Sequence, residues 1–271
     1  MKKMFFAIIL GACFALITAC GSAANDSANQ SSESKESGDL WKSIKEKGVL
    51  TIGTEGTYAP FTFHDKKTDK LTGYDVEVIT EVAKRLDLKP EFKETQWDSM
   101  FAGLNAKRFD VVANQVGKTG REKQYDFSDK YTTSQAIVVT KSDNNDIKEL
   151  ADVKGKKAAQ SLTSNYNTLA KDAGAQIEGI EGLAQAIQLI QQGRADLTFN
   201  DKLAVLNYLK TSGNKNLKVA FETGDPQETH FAFRKGSGEV VDKVNGALKE
   251  MKDDGTLAKI SEKWFGEDVS K

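Results

Sequence analysis

A guanidinium set just beyond the end of a strand can hold a carboxylate through two parallel hydrogen bonds. Arg121 stands in such a place: DVVANQVGKTGREKQYDFSDKY opens with an apolar strand expected over 109–113, breaks at Asn114 and loops through Gly117 and Gly120 before reaching it. On its own the same residue also reads as a surface arginine on a loop. A second candidate lies in QSLTSNYN, residues 160–167, where a strand ends and a helix begins. The free amides and positive dipole end of a helix favour an anion, which nominates Thr163 and Ser164; simple hydroxyl capping accounts for them equally well. Asp201, in LTFNDKLAVL, follows another strand end, at the N-cap position of a helix expected over 202–210.

Other chemistries are excluded by spacing. Gly117-Lys118-Thr119 resembles the end of a phosphate-cradling loop, but that motif needs a glycine five places earlier, where this chain has Val112. His64 and His230 are the only histidines and lie far apart, so neither a zinc spacing nor a Ser-His-Asp arrangement is supported. With 38 Lys and Arg against 39 Asp and Glu, the chain carries no nucleic-acid footprint.

The elements that would position these residues alternate between strand and helix. Strands are expected over 49–53, around Phe92, and over 109–113, with helices over 74–86 and 97–106 between them. A second cycle places strands over 137–140, 157–160, 176–180 and 195–200, with helices over 165–173, 183–192 and 202–210. A short strand over 231–233 and helices over 240–251 and 257–264 close the chain. This order predicts an α/β fold with a mostly parallel sheet, whose ligands gather at the carboxyl ends of strands. At 271 residues there is material for one large domain or two modest lobes.

The N-terminus reads as a leader: Lys2 and Lys3 precede an apolar run over 4–17, too short to span a membrane as a helix. The run ends in Ile17-Thr18-Ala19-Cys20, which resembles a bacterial lipobox, in which the cysteine becomes the first mature residue and carries a thioether-linked diacylglycerol. An ordinary leader with a cysteine beside its cleavage site is the alternative. Cys13 falls in the segment to be removed, so Cys20 would be the lone thiol of an exported protein, which favours its modification. Without residues 1–19, 36 basic residues face 39 acidic ones. Residues 21–39 hold six serines and no large apolar side chain, and read as a tether that cannot bury enough surface to order itself.

Five stretches in order carry a family resemblance: GTEGTYAPF (53–61), LTGYDVEV (71–78), WDSMFAGLNAKRFD (97–110), the Arg121 stretch with Phe127-Ser128-x-x-Tyr131, and DGTLAKISEKWFG (254–266). Together they resemble the extracellular solute-binding proteins, family 3, of polar amino-acid ABC transporters, from about Leu40 to the C-terminus. The resemblance implies a two-lobed type II periplasmic-binding-protein fold with two crossing strands, placed near 133–137 and 228–231. It divides the chain into a leader (1–19), lipidated cysteine and tether (20–39), lobe 1 (40–135 plus 230–271) and lobe 2 (136–229). It further implies that Arg121 meets an α-carboxylate, Asp201 an α-ammonium, and that Tyr58 and Trp97 clamp the side chain, with Glu55 facing the ligand. Asn114 and Val116 match positions that contribute backbone groups, although Val116 stands where threonine is frequent.

Within that family the combination most resembles the L-cystine-binding branch. Cystine has two α-amino acid ends, and Glu55, Asn114, Gln115 and Glu228 are candidates for the second. The resemblance implies no cofactor and no catalysis, an ABC permease with its ATPase subunit as partner, and a monomer held by its lipid on the outer face of a bacterial cell membrane. Glutamine, arginine or histidine as ligand is the nearest alternative. A cyclohexadienyl-dehydratase-like enzyme on the same fold is the alternative from another class.

Overall fold

The computed structural model describes residues 40–271; the leader, Cys20 and the tether lie outside the described residues. A short helix, α1 (40–47), leads into β1 (Val49–Thr54), followed by a small antiparallel sheet of β2 (Thr57–Tyr58), β3 (Thr62–His64) and β4 (Leu71–Thr72). Helix α2 (Tyr74–Arg85), β5 (Lys89–Glu94), α3 (Trp97–Asn105), β6 (Val111–Val116) and β7 (Tyr125–Phe127) complete the first half. The chain continues through β8 (Thr132–Lys141), β9 (Lys157–Gln160), α4 (Asn165–Asp172), β10 (Gln176–Gly179), α5 (Leu183–Gln191), β11 (Leu197–Asp201) and α6 (Lys202–Ser212). It ends with β12 (Leu217–Arg234), α7 (Gly238–Asp253) and α8 (Thr256–Phe265).

The main sheet runs β10-β9-β11-β8-β12-β6-β1-β5, with β7 paired to β12. Its two ends are parallel, as strand-helix-strand units require: β1 pairs with β5 and β6, and β9 with β10 and β11. Its middle is antiparallel, because β8 and β12 pair with each other and with β11 and β6. The expectation of a mostly parallel sheet is thereby corrected to a mixed one. The correction has two sources: β8, which runs antiparallel to β11, and β12, which is 18 residues long where a short strand over 231–233 was expected. Its segment 222–228 is polar and has little periodicity, yet it stays antiparallel to β8 across a register shift between Glu222 and Pro226, with Pro226 opposite Gln135 and Thr229 opposite Thr132.

Strand alternation sorts the apolar side chains onto two covered faces. On β6, Val111 and Ala113 join a core with α2, α7 and α8, while Val112 and Val116 join another with Trp97, Met100 and Phe109 under α3. On β8, Ile137 and Val139 face α5 and α6, while Val138 packs with Ala170 of α4 and Phe199 of β11. The first two cores draw mostly on residues before 132 and after 230, and the other two on residues between. Glycine is required where β1 and α2 come close to their neighbours. A Cβ on Gly53 would stand 2.5 Å from the Phe109 ring, and one on Gly73, whose φ is 134°, only 2.2 Å from the Phe61 carbonyl oxygen.

Candidate functional site

A cleft of about 510 Å³, counting the part open to solvent, lies between the two halves at the carboxyl ends of β1, β6, β9 and β11. One wall carries Glu55, Tyr58, Trp97, Asn114 and Gln115; the other carries Gln160, Ser161, Ser164, Asn165, Tyr166, Thr198 and Asn200. Its lining is mixed: Ile180, Leu183 and the rings of Tyr58, Trp97 and Tyr166 supply apolar surface beside the amides and hydroxyls.

The first wall is built on β6. Its six residues are all buried, but after Val111, Val112 and Ala113 come two amides that the sheet cannot satisfy. Asn114 turns to Glu55: its Oδ1 accepts from the Glu55 amide at 2.8 Å and its Nδ2 donates to Glu55 Oε2 at 2.5 Å. Gln115, with φ at 51°, is held by Asp75 at the start of α2, which accepts from its main-chain N–H at 2.8 Å and its Nε2 at 2.6 Å. Burial drives both carboxyls toward their neutral forms, raising Glu55 and Asp75 to about 7 each.

The second wall is built on helix starts. Ser164 caps α4, its Oγ accepting from the Asn167 amide at 3.0 Å. Asp201, 1% exposed, caps α6 through Oδ1, which accepts from Leu203 N at 2.8 Å and Ala204 N at 3.2 Å. Its Oδ2 faces the Tyr166 hydroxyl at 3.5 Å, and burial raises its pKa to about 6.

Of the residues singled out in the sequence, Glu55, Tyr58, Trp97, Asn114, Gln115 and Ser164 line the cleft. Tyr58 reaches across it, donating to Asn200 Oδ1 at 2.8 Å. Trp97 is 7% exposed, and its Nε1 has no hydrogen-bond partner. Arg121 sits behind Trp97, its guanidinium carbon 5.8 Å from that ring and 5.2 Å from Phe101; it donates to the carbonyls of Gly117 at 2.9 Å and Thr163 at 2.6 Å. Burial lowers its pKa, as it does for any cation taken from water. Asp201 stands one residue behind Asn200, and Tyr166 lies between it and the cleft.

Three residues lie elsewhere. Val116 is fully buried against Trp97 and Tyr125, so its side chain belongs to the core. Thr163 gives its amide and hydroxyl to Asp98 rather than to the cleft. Glu228 is exposed in an ion pair with Lys130 at 2.8 Å and does not line the cleft. Sequence reasoning missed Gln160, Tyr166 and Asn200. The signal available was a polar residue ending an apolar strand, which marks Gln160 in KAAQ and Asn200 in LTFND as it marks Asn114 in VVANQV. Among the described residues, no group of three or more His, Cys, Asp or Glu is placed to hold a metal ion.

This arrangement has known counterparts. The chain belongs to the bacterial extracellular solute-binding proteins, family 3, whose family model matches residues 50–267. It is 76% identical to the L-cystine-binding protein TcyA of Bacillus subtilis over 271 residues, all of both chains. Its fold is the two-lobed type II periplasmic-binding fold of the solved relatives. It superposes on the unliganded, open L-cystine solute receptor of Neisseria gonorrhoeae with a TM-score of 0.57 at 53% identity, over 86% of this chain and 98% of that one. An ancestral arginine-binding protein bound to arginine gives 0.76 at 39% identity, over 81% and 99%. The less identical, ligand-bound structure is the better superposition of the two.

Proposed function

We propose that this chain is a receptor that encloses L-cystine between two lobes and delivers it to an ABC permease for import. The observation that carries the reading is the end-to-end 76% identity to a protein named for L-cystine binding. Membership in a family of solute-binding proteins sets the dehydratase-like alternative aside: the chain is a binding protein and not an enzyme. The permease's ATPase subunit supplies the energy of transport.

Lobe 1 is assigned 40–135 plus 230–271 and lobe 2 136–229, with residues 1–19 removed and Cys20 lipidated on the outer face of the cell membrane. Two acyl chains hold such a protein stably where one does not. No described helix is long and apolar enough to cross a membrane. In the site, Arg121 meets one α-carboxylate together with Thr163 and Ser164, and Asp201 meets the α-ammonium. Tyr58 and Trp97 clamp the ligand, Asn114 and Val116 offer backbone groups, and Glu55 with Asn114 and Gln115 receives the second end. In support of this reading, Glu55, Asn114 and Gln115 form one contiguous polar patch on the first wall.

The test is calorimetric titration of ligand-stripped residues 21–271 with L-cystine, glutamine, arginine and histidine. Tight binding of L-cystine alone is expected, with about a hundredfold loss in Arg121→Ala, since a desolvated carboxylate loses its cation. Binding of another amino acid in its place replaces the ligand assignment, and full affinity in Arg121→Ala overturns the site assignment.

A further inference from the structure

A second pocket lies at the opposite end of the first half from the cleft. It holds about 990 Å³, counting the part open to solvent, and Leu40, Lys47, Lys107, Asp110, Arg234 and Lys235 line it. Lys47 stands just before β1, Asp110 just before β6, and Arg234 ends β12, which runs antiparallel to β6. The pocket therefore sits at the amino ends of the strands whose carboxyl ends carry the cleft.

Its charge is unbalanced: four cations face one acid. Asp110 is already engaged, its Oδ2 accepting from the Thr51 amide at 3.1 Å and hydroxyl at 2.5 Å, and its Oδ1 lying 3.7 Å from Arg234. Arg234 donates to the carbonyls of Phe109 at 2.7 Å and Leu104 at 3.2 Å, and Lys235 pairs with Asp126 at 2.9 Å. Lys47 and Lys107 are exposed, and neither has an ion pair among the described residues. Beside Leu40 on α1, the half-buried Trp41 ring has the Lys45 and Lys243 ammonium groups 5.8 and 5.9 Å from its centre.

We propose that this pocket takes the phosphodiester headgroup of an anionic phospholipid and seats the far end of the first half on the membrane surface. Phosphate oxygens supply the acceptors that Lys47 and Lys107 lack, and tryptophan beside lysine suits a lipid interface. The start of the chain selects the occupant. Residues 1–39 precede Leu40, and under the anchor reading of Cys20, on which the proposal rests, only residues 21–39 separate the lipid from the pocket. A serine-rich tether of that length averages about 25 Å from end to end, which keeps the pocket within reach of headgroups. The cleft, at the other ends of the same strands, stays off the surface.

The test uses the mature chain, purified with its lipid and held on vesicles of phosphatidylcholine, alone or with about one third phosphatidylglycerol. Acylation of each lysine is followed by mass spectrometry, without L-cystine, so the result stands whether or not the receptor reading does. On the anionic vesicles Lys47, Lys107 and Lys235 are expected to react about fivefold more slowly than on neutral ones, and about 0.5 M salt should remove the difference. Lys171 and Lys210, exposed in the other half, should react alike on both. Lys47→Glu/Lys107→Glu should abolish the slowing at Lys235 and leave L-cystine affinity as in the parent, since neither residue lines the cleft. Equal rates on the two vesicles, or equal slowing at all five lysines, overturns the proposal. So does the same slowing by dissolved glycerophosphoglycerol at equal phosphate concentration, which would make a soluble phosphodiester the occupant. A chain without lipid on Cys20 fails the anchor reading by itself, and the same comparison with the dissolved chain added to vesicles still decides whether the pocket takes headgroups.

Discussion

On the first wall of the cleft the strand-end amides are paired with buried carboxyls; on the second, where Gln160 and Asn200 also end strands, the helix starts add the Ser164 hydroxyl and, behind Tyr166, the Asp201 carboxylate. The Asn114–Glu55 and Gln115–Asp75 pairs are tied further to the Thr54, Thr132 and Thr229 hydroxyls, and each places a carboxyl in a buried setting without a cation. Ser164 and Asp201 satisfy main-chain amides that their helices would leave unpaired anywhere. The first wall is therefore organised for the cleft at the expense of comfortable ionisation, while the second draws Ser164 and Asp201 from the capping of its helices. Loss of a group on the second wall should damage stability and binding together, whereas on the first wall protonation should matter most.

The sharpest contrast pairs Asp201→Ala with Arg121→Ala. Both are expected to lose about a hundredfold in affinity. Only Asp201→Ala should also lose a helix cap, about 1 kcal/mol, lowering Tm by about 2–4 °C. Equal melting temperatures by calorimetry would erase the distinction between the walls.

Next in size is a pH effect. Glu55 and Asp75 have folded-state pKa values raised to about 7, chiefly by burial, from 4.5 and 3.8. Between those limits the folded chain binds protons that the unfolded chain has released, so their contribution to stability falls as pH rises through 7. His230, which burial holds below its ordinary value, acts in the opposite sense on acidification. The comparison must therefore be made between variants. The Tm advantage of Glu55→Gln/Asp75→Asn over the parent should grow from pH 5.5 to pH 8; a constant difference would mean that neither carboxyl carries the shift. Asp201, raised only to about 6, should complete its change at lower pH.

The smallest effect belongs to Val116→Thr. A hydroxyl placed among Trp97, Phe109 and Tyr125 should cost about 1–2 kcal/mol of stability in a denaturant titration and leave affinity unaltered. A gain in affinity would put that side chain in the site after all.

The helices were legible wherever one apolar stripe ran for two turns or more: Val78, Ile79 and Val82 mark α2, and Val240, Val244 and Leu248 mark α7. The small sheet of β2, β3 and β4 was not, because strands of two or three residues show no alternation to read. Nor was the length of β12, whose polar middle is fixed by its partner β8 rather than by its own composition. Within the site, Tyr58 and Trp97 were legible through their motifs. Asn200 was overshadowed by its charged neighbour Asp201, and Asp98 gave no sign of reaching a residue 65 positions away.

The sequence by itself determined the alternation of strands and helices, the polar residues that end its buried strands and the family to which the chain belongs, because each is written in local spacing or contiguous motifs. Only the tertiary structure decided which of those residues share a wall, which are spent on capping and which cross the cleft. Tyr58 and Asn200 are 142 positions apart, and Gln96 and Glu181 are 85 apart. No periodicity spans such distances; contacts of that kind exist only once two independently packed halves are brought face to face.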